Sequence, residues 1–245
     1  MATKKVNAPL AKPIKEAAVA PQTISLRTRL FRGYVGIAAA GLLILGLSAH
    51  TIPYFPWDLI IAKAIQSLPF IKNLMVWVSL PGNPPQAAII TVIALIFMAI
   101  AGLYWEALAG AIGFAAMELL VNFLKSIVGR TRPLASLVNV YRPLSGGSFP
   151  SGHVVDYVVV LGFFWFLTFS SFKKTLWLRT ALLIFFSTLI ILVGPSRIYL
   201  GAHWPSDVLG AYLLGTILLW GLVELYTWGK KKHFLRSSIE QSPGS

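Results

Sequence analysis

Long apolar stretches recur along the chain and are separated by short polar segments. Residues 33–51 and 85–105 contain no Asp, Glu, Lys or Arg. Four further stretches each contain one residue of those types: 107–124 with Glu118, 154–172 with Asp156, 176–194 with Arg179 and 208–228 with Glu224. A hydrocarbon layer about 30 Å thick is crossed by roughly 20 apolar residues in a helix. The pattern therefore predicts six membrane-spanning helices.

A shorter periodic pattern lies between the first two predicted spans. Apolar residues recur there at helical spacing, and polar residues occupy the opposite face. The apolar positions are Trp57, Ile60, Ile61, Ala64, Ile65 and Leu68, and the polar ones are Asp58, Lys63 and Gln66. We expect an interfacial helix that lies flat on the outer membrane surface. The alternative is a lid or guide for a lipid that enters the protein sideways.

The composition supports a membrane protein and excludes several kinds of site. Of the 245 residues, 56% are hydrophobic and 12% are charged, whereas soluble domains average about 25% charged residues. The expected fold is therefore an all-α, polytopic bundle of six transmembrane helices. The chain has no cysteine, which excludes disulfides and thiolate metal sites. Its eight acidic residues are scattered, so we expect neither a metal ion nor a cofactor.

The net charge of +13 is unevenly distributed along the chain. Fourteen of the 21 Lys and Arg residues precede the first span, follow the sixth, or lie between the fourth and fifth or in the first turn of the fifth. With both termini in the cytoplasm, these residues satisfy the positive-inside rule. We expect a basic, disordered cytoplasmic tail over residues 1–32, a membrane domain over 33–228 and a second basic tail over 229–245. The expected location is the cell membrane, with no nucleic-acid partner.

Basic residues also occur on the predicted outer side, where the same rule does not account for them. Five of them fall in two loops: Lys125, Arg130, Arg132, Arg142 and Arg197. Such a local concentration of positive charge indicates an anionic ligand.

Three polar clusters contain the candidate chemistry. They are Lys125 with Arg132-Pro133, then Pro150-Ser151-Gly152-His153, then Ser196-Arg197 with His203 and Asp207. The predicted topology places the end of span three, the start of span four, the end of span five and the start of span six on one face. We therefore expect the three clusters to meet on the outer face of the bundle.

The cationic members of these clusters suit a phosphate group. Lys125, Arg132 and Arg197 are permanent hydrogen-bond donors that match phosphate oxygens. Ser151 and Gly152 precede span four, where free backbone N–H groups and the helix dipole favour an anion.

The histidines suit acid–base and nucleophilic chemistry. His153 and His203 can supply one nucleophile and one general acid, because imidazole titrates near neutral pH. Asp207 lies four residues after His203 and can accept a hydrogen bond from one of its ring nitrogens. Pro205 indicates that a helix begins there, which places His203 just before it.

The three clusters together resemble the motifs of the type 2 phosphatidic acid phosphatase superfamily. That group also includes bacterial undecaprenyl-diphosphate phosphatases and vanadium haloperoxidases. The resemblance implies that His203 attacks phosphorus and that His153 protonates the departing lipid oxygen, while Asp207 orients His203. It further implies that the phosphate is held by Lys125, Arg132, Ser151, Gly152 and Arg197, without a metal.

The expected function is therefore metal-independent hydrolysis of a lipid phosphate through a phosphohistidine intermediate. Candidate substrates are phosphatidate-like or phosphatidylglycerophosphate-like monoesters and undecaprenyl diphosphate, which the sequence does not rank. A lipid phosphotransferase would use the same residues. A haloperoxidase would use the same pocket for vanadate, and a lipid or anion transporter is the alternative outside enzymes. The sequence does not indicate an oligomeric state.

Other polar residues have interpretations of their own. Arg130 and Arg142 are expected to be solvated loop charges or, alternatively, contacts to phosphate or a lipid headgroup. Asp156 is expected to complement a helix dipole or to tune His153, and Glu118 to form a buried hydrogen bond to another helix. The remaining histidines, His50 and His233, are expected to have no part in catalysis.

Overall fold

The regular elements in the described part of this protein are helices. The computed structural model describes residues 26–171 and 176–240, and residues 1–25, 172–175 and 241–245 lie outside the described part. The helices within it are α1 Leu26–Thr51, α2 Pro56–Gln66, α3 Lys72–Ser79, α4 Pro84–Ile100, α5 Tyr104–Val128, α6 Gly152–Asp156, α7 Gly162–Ser171, α8 Leu176–Tyr199 and α9 Pro205–Glu240. A 3₁₀ turn, Leu80–Gly82, follows α3, and a π-helical turn, Tyr157–Leu161, joins α6 to α7.

The long helices confirm the predicted class of fold. Five are long and apolar enough to cross a membrane: Phe31–Thr51, Tyr104–Val128, Gly152–Ser170, Leu176–Tyr199 and Pro205–Lys232. The second predicted span corresponds to α4, which has 17 residues and meets the preceding helical segment Lys72–Gly82 at a bend of 60°. The described part of the chain therefore has five candidate spans, or six with the bent pair counted as one.

The short helix predicted between the first two spans is α2, but one of its faces differs from the expectation. Ile60 is 68% exposed, whereas Asp58, which was placed on the polar and solvated face, is fully buried. Gln66 of the polar face also contacts the protein and donates to the backbone carbonyl of Tyr199, whereas Lys63 is exposed together with part of the apolar face. This orientation is compatible with an interfacial helix, which remains a prediction.

Both ends of the membrane domain are longer than the apolar pattern indicated. Helix α1 begins at Leu26, so residues 26–32 are helical and not part of a disordered tail. Helix α9 continues to Glu240, so residues 229–240 of the second expected tail are helical as well. No proline interrupts either extension, and a polar composition by itself does not end a helix.

The centre of the bundle is formed by α6 and the π-helical turn, packed against α9. Val154, Val155 and Ala211 are completely buried. At Gly215 of α9 a Cβ atom would lie 2.8 Å from the Cβ of Val158, so the missing side chain permits close approach of the two segments. This packing brings the beginnings of α6 and α9 together at one end of the bundle.

Candidate active site

A cavity of about 540 Å³ opens where α5 ends and where α6 begins. Six of the eight predicted site residues line it: Lys125, Arg132, Gly152, His153, Arg197 and His203. The other two, Ser151 and Asp207, are fully buried. Tertiary packing therefore brings the three sequence clusters together, as their placement at the helix ends predicted.

The guanidinium of Arg132 donates hydrogen bonds to three backbone carbonyl groups. Its Nε donates to the carbonyl of Gly146 at 3.1 Å, and its terminal nitrogens donate to Gly147 at 3.2 Å and Ala202 at 2.9 Å. These contacts fix the guanidinium plane at the cavity wall without neutralising its charge. A preorganised cation of this kind stabilises an anion with little cost of reorganisation.

Two further cations face the same cavity. Arg197 is 5% exposed and donates to the hydroxyl of Ser79, while its Nε has no hydrogen-bond partner among the described residues. A Cβ atom at Gly152 would lie 3.4 Å from Lys125 Nζ, which places that ammonium group beside the first turn of α6. The first N–H groups of a helix have no intrahelical acceptor, so this corner offers backbone donors beside the charge.

The tautomer of His203 follows from its two neighbours. Its Nδ1 lies 2.8 Å from the carbonyl oxygen of Ser148, and a carbonyl can only accept, so Nδ1 carries the proton. Its Nε2 lies 3.4 Å from a terminal nitrogen of Arg132, which can only donate. The lone pair of Nε2 is therefore directed to the cavity side. Burial lowers the pKa of His203 to about 4 against the opposing effect of the Asp207 carboxylate, so the ring is neutral at physiological pH.

Asp207 supports His203 less directly than was expected. Its Oδ2 lies 3.7 Å from His203 Nδ1, which is beyond hydrogen-bond distance. Instead, Oδ2 accepts hydrogen bonds from the Ser148 hydroxyl and from the backbone N–H of Trp204, the latter at 2.8 Å. Asp207 thus positions Ser148, whose carbonyl in turn orients the imidazole. The acceptor nearest to His203 Nδ1 is therefore the Ser148 carbonyl and not Asp207, because spacing along a chain does not determine which acceptor lies nearest.

Arg130 has a role that neither of its two interpretations anticipated. It is 2% exposed, and its guanidinium donates to Asp58 at 2.9 Å and to Asp207 at 2.6 Å. Ser206 completes the cluster by donating to Asp58 through both its hydroxyl and its backbone N–H at 2.8 Å. Arg130 is therefore a buried link between α2 and the start of α9. The signal that could have found it is Asp58, a charge on a short amphipathic helix.

His153 contacts a residue that the sequence analysis did not single out. Its Nε2 lies 3.2 Å from Oδ1 of Asn83, in the bend between the 3₁₀ turn and α4. A Cβ atom at Gly82 would lie 2.7 Å from Cδ2 of His153, so the backbone of this bend packs directly on the ring. Asn83 occupies the N-cap position of α4, yet its side chain does not cap the helix. The available signal is the sequence Pro81-Gly82-Asn83-Pro84-Pro85, whose Pro-Gly and Asn-Pro dipeptides are typical of a turn.

The remaining candidates occupy varied positions. The hydroxyl of Ser151 is buried with no hydrogen-bond partner in the described part of the chain. Arg142 is exposed at the cavity wall. Glu118 is also exposed there and accepts from Asn122 of its own helix at 3.4 Å, so the predicted buried hydrogen bond to another helix was wrong. Asp156 lines the cavity too.

His50 does not line the cavity. His50 Nδ1 lies 3.1 Å from the carbonyl oxygen of Val128, where it contacts the end of α5. The side chain of His233 lies outside the described residues.

Comparisons with known sequences identify the family to which this chain belongs. The sequence profile of the PAP2 superfamily matches residues 106–231. Phosphatidylglycerophosphatase B of Bacillus subtilis (strain 168) is 31% identical over 190 residues, which cover 72% of this chain and 86% of that protein. The bacitracin transport permease protein BcrC of Bacillus licheniformis is 34% identical over 109 residues, or 43% of this chain and 48% of that protein.

Solved structures show the same fold. The crystal structure of a transmembrane PAP2-type phosphatidylglycerolphosphate phosphatase from Bacillus subtilis superposes with a TM-score of 0.66 at 27% identity, covering 78% of this chain and 95% of that chain. The crystal structure of Aquifex aeolicus LpxE superposes with a TM-score of 0.57 at 24% identity, covering 71% and 98%. The second likeness concerns the fold alone.

Proposed function

The chain belongs to the PAP2 superfamily and is a membrane lipid phosphatase, and we propose that it acts through a phosphohistidine on His203. The observation that carries this proposal is the orientation of the His203 ring. Its proton is committed to the Ser148 carbonyl, so a lone pair on Nε2 faces the cavity, which is also lined by Lys125, Arg132 and Arg197.

In the first step, Nε2 of His203 forms a bond to phosphorus while the bond from phosphorus to the lipid oxygen breaks. His153, in its protonated form, gives its proton to that oxygen, so a monoester leaves as a neutral alcohol and a diphosphate as the lipid monophosphate. The imidazole of His203 becomes positively charged, and the nearby Asp207 carboxylate stabilises it.

In the second step, a water molecule attacks the phosphohistidine, and the bond from phosphorus to nitrogen breaks. His153, now neutral, accepts a proton from that water and thereby returns to its starting state. Inorganic phosphate leaves, and His203 is again neutral with its proton on Nδ1. Over one cycle, His153 gives one proton to the leaving group and takes one from water. Both histidines therefore return to their starting protonation states.

The cations stabilise the phosphoryl oxygens through both steps. The same cavity is lined by Lys125, Arg132 and Arg197, which can all donate hydrogen bonds to one bound phosphate. Removing one preorganised donor of this kind lowers kcat by about 10²–10³ in comparable oxyanion sites. Burial strengthens the electrostatic interaction of these cations with the phosphate, because the local dielectric constant is low.

For the substrate, we propose an amphiphilic lipid phosphate: a phosphatidate-like or phosphatidylglycerophosphate-like monoester, or undecaprenyl diphosphate. The similarity to phosphatidylglycerophosphatase B of Bacillus subtilis supports the phosphatidylglycerophosphate class. We also propose that the cavity faces the outside of the cell. The support is the charge at the opposite end of α9, which starts beside His203 and reaches Lys230, Lys231 and Lys232 near its far end.

The test is release of inorganic phosphate by purified protein in detergent, with phosphatidate, phosphatidylglycerophosphate and undecaprenyl diphosphate as substrates. We expect His203→Ala to release no phosphate while it still binds lipid phosphate, and the wild type to yield an acid-labile phosphohistidine after rapid quenching. His50→Ala is the matched control, because His50 lies outside the cavity and should keep wild-type turnover. Normal turnover by His203→Ala would remove His203 from the nucleophilic role.

A further inference from the structure

Asp156 is a carboxylate in the wall of the catalytic cavity that the proposed mechanism does not use. It is 9% exposed, and its Oδ1 is buried without a hydrogen-bond partner among the described residues. Buried polar atoms in native proteins nearly always have a partner. The missing partner can therefore be supplied by whatever occupies the cavity.

The position of Asp156 relates it to the general acid. It follows His153 by three residues on the same helical segment, which advances it about 4.5 Å along the axis. Residues three apart lie on the same face of a helix. A group bound by Asp156 is thus close to the oxygen that His153 protonates, on the side directed into the bundle.

Asp156 also borders a second cavity of different character. This cavity has a volume of about 370 Å³ and is lined mainly by apolar side chains, among them Ile90, Phe164 and Leu189. Asp156 is therefore at the boundary between a cationic cavity and an apolar one. An amphiphile with its phosphate in the first and its hydrocarbon in the second would place the carbons next to the ester oxygen beside this carboxylate.

We propose that Asp156 accepts a hydrogen bond from a hydroxyl group on the carbon adjacent to the phosphate ester, so the preferred substrates are phosphomonoesters of hydroxylated lipid headgroups. This inference rests on the proposed phosphatase function. A hydroxyl at that position supplies the donor that Oδ1 lacks. The second phosphate of a diphosphate would place negative charge next to the carboxylate, so the geometry disfavours that class.

Two probe lipids separate this role from a merely structural one. Hexadecane-1,2-diol 1-phosphate carries the hydroxyl, and hexadecyl phosphate lacks it while having the same phosphate and chain length. The measured quantity is the ratio of kcat/KM for the two lipids within each variant, which does not depend on the fraction of protein that is folded. If the hydroxyl donates to the charged Asp156, we expect the wild-type kcat/KM to be about 10- to 100-fold higher for the diol phosphate than for hexadecyl phosphate.

Substitutions should change this ratio in a graded way. Asp156→Asn keeps a neutral acceptor, and we expect its preference to fall to a few-fold. Asp156→Leu has no acceptor, and we expect it to show equal kcat/KM for the two lipids. Glu224→Gln is the matched control, since Glu224 is an exposed carboxylate of α9 outside both cavities, and it should keep the wild-type ratio.

Two results would overturn the inference while leaving the phosphatase function intact. One is vigorous phosphate release by the wild type with equal kcat/KM for both lipids. The other is a wild-type ratio retained by Asp156→Leu, which would show that the carboxylate does not contact the hydroxyl. By contrast, a wild type that releases phosphate from neither these probes nor the natural lipid phosphates would refute the proposed function itself.

Discussion

Arg130 donates a 2.6 Å hydrogen bond to Asp207, and both side chains are completely buried. The same guanidinium binds Asp58 at 2.9 Å, so one cation is shared by two carboxylates from distant parts of the chain. Asp207 also accepts a hydrogen bond from the Ser148 hydroxyl, and the Ser148 carbonyl orients the His203 ring. The position of that ring therefore depends on Arg130, which does not line the cavity. If His203 is the nucleophile that we propose, this cluster couples stability to catalysis.

Arg130→Met should destabilise the protein strongly. It leaves two buried carboxylates without their cation, and removal of one partner of a buried ion pair costs about 3–5 kcal/mol. For a chain of this size we expect the melting temperature in detergent to fall by roughly 10 °C. Differential scanning calorimetry or a fluorescence melt would measure it.

Arg142→Met is the control for the loss of a positive charge, because Arg142 is exposed. Its melting temperature should stay close to that of the wild type. An equal decrease in both variants would contradict a specific structural role for Arg130.

The pH dependence of phosphohistidine formation should show how strongly His203 is shielded from water. Burial lowers the pKa of His203 to about 4, and only the neutral ring has a lone pair for attack. His203 is therefore entirely in its neutral, reactive form well above pH 4, and this form is lost as the pH falls through about 4. Single-turnover measurements of phosphohistidine formation against pH would locate this limb. A loss centred near the ordinary imidazole value of about 6.5 would show that the ring is exposed to solvent.

Asn83→Ala should impair protonation of the leaving group. Without the Oδ1 contact at 3.2 Å, the His153 ring loses a hydrogen bond that restricts its orientation. We expect kcat for an alkyl phosphate to fall about 10-fold, a part of the 10²–10⁴ that general acid catalysis contributes, with little change in KM.

A substrate with a good leaving group distinguishes this positioning role from general damage to the site. Cleavage of a p-nitrophenyl phosphate ester needs little protonation of the departing oxygen, so Asn83→Ala should reduce its rate far less. Asn83→Asp retains an acceptor and should restore part of the alkyl phosphate activity. An equal loss for both substrates would refute the positioning role.

The sequence determined the class of fold and six residues of the cavity lining. Apolar stretches of spanning length report directly on burial in a membrane, and they predicted the long helices from local composition alone. The clusters at their ends predicted that Lys125, Arg132, His153, Arg197 and His203 would meet, because helix ends on one face of a bundle must lie near one another.

Only the tertiary structure decided how these side chains are held. Arg130 and Asp58 are 72 residues apart, His153 and Asn83 are 70 apart, and His203 and Ser148 are 55 apart. Such pairs are formed by the packing of α2, of the α3–α4 bend and of the segment before α6 onto the bundle, and periodicity along the chain carries no information about them. A buried charge or ring nitrogen bonds to whichever group the packing brings within about 3 Å, so its partner follows from the three-dimensional arrangement and not from spacing.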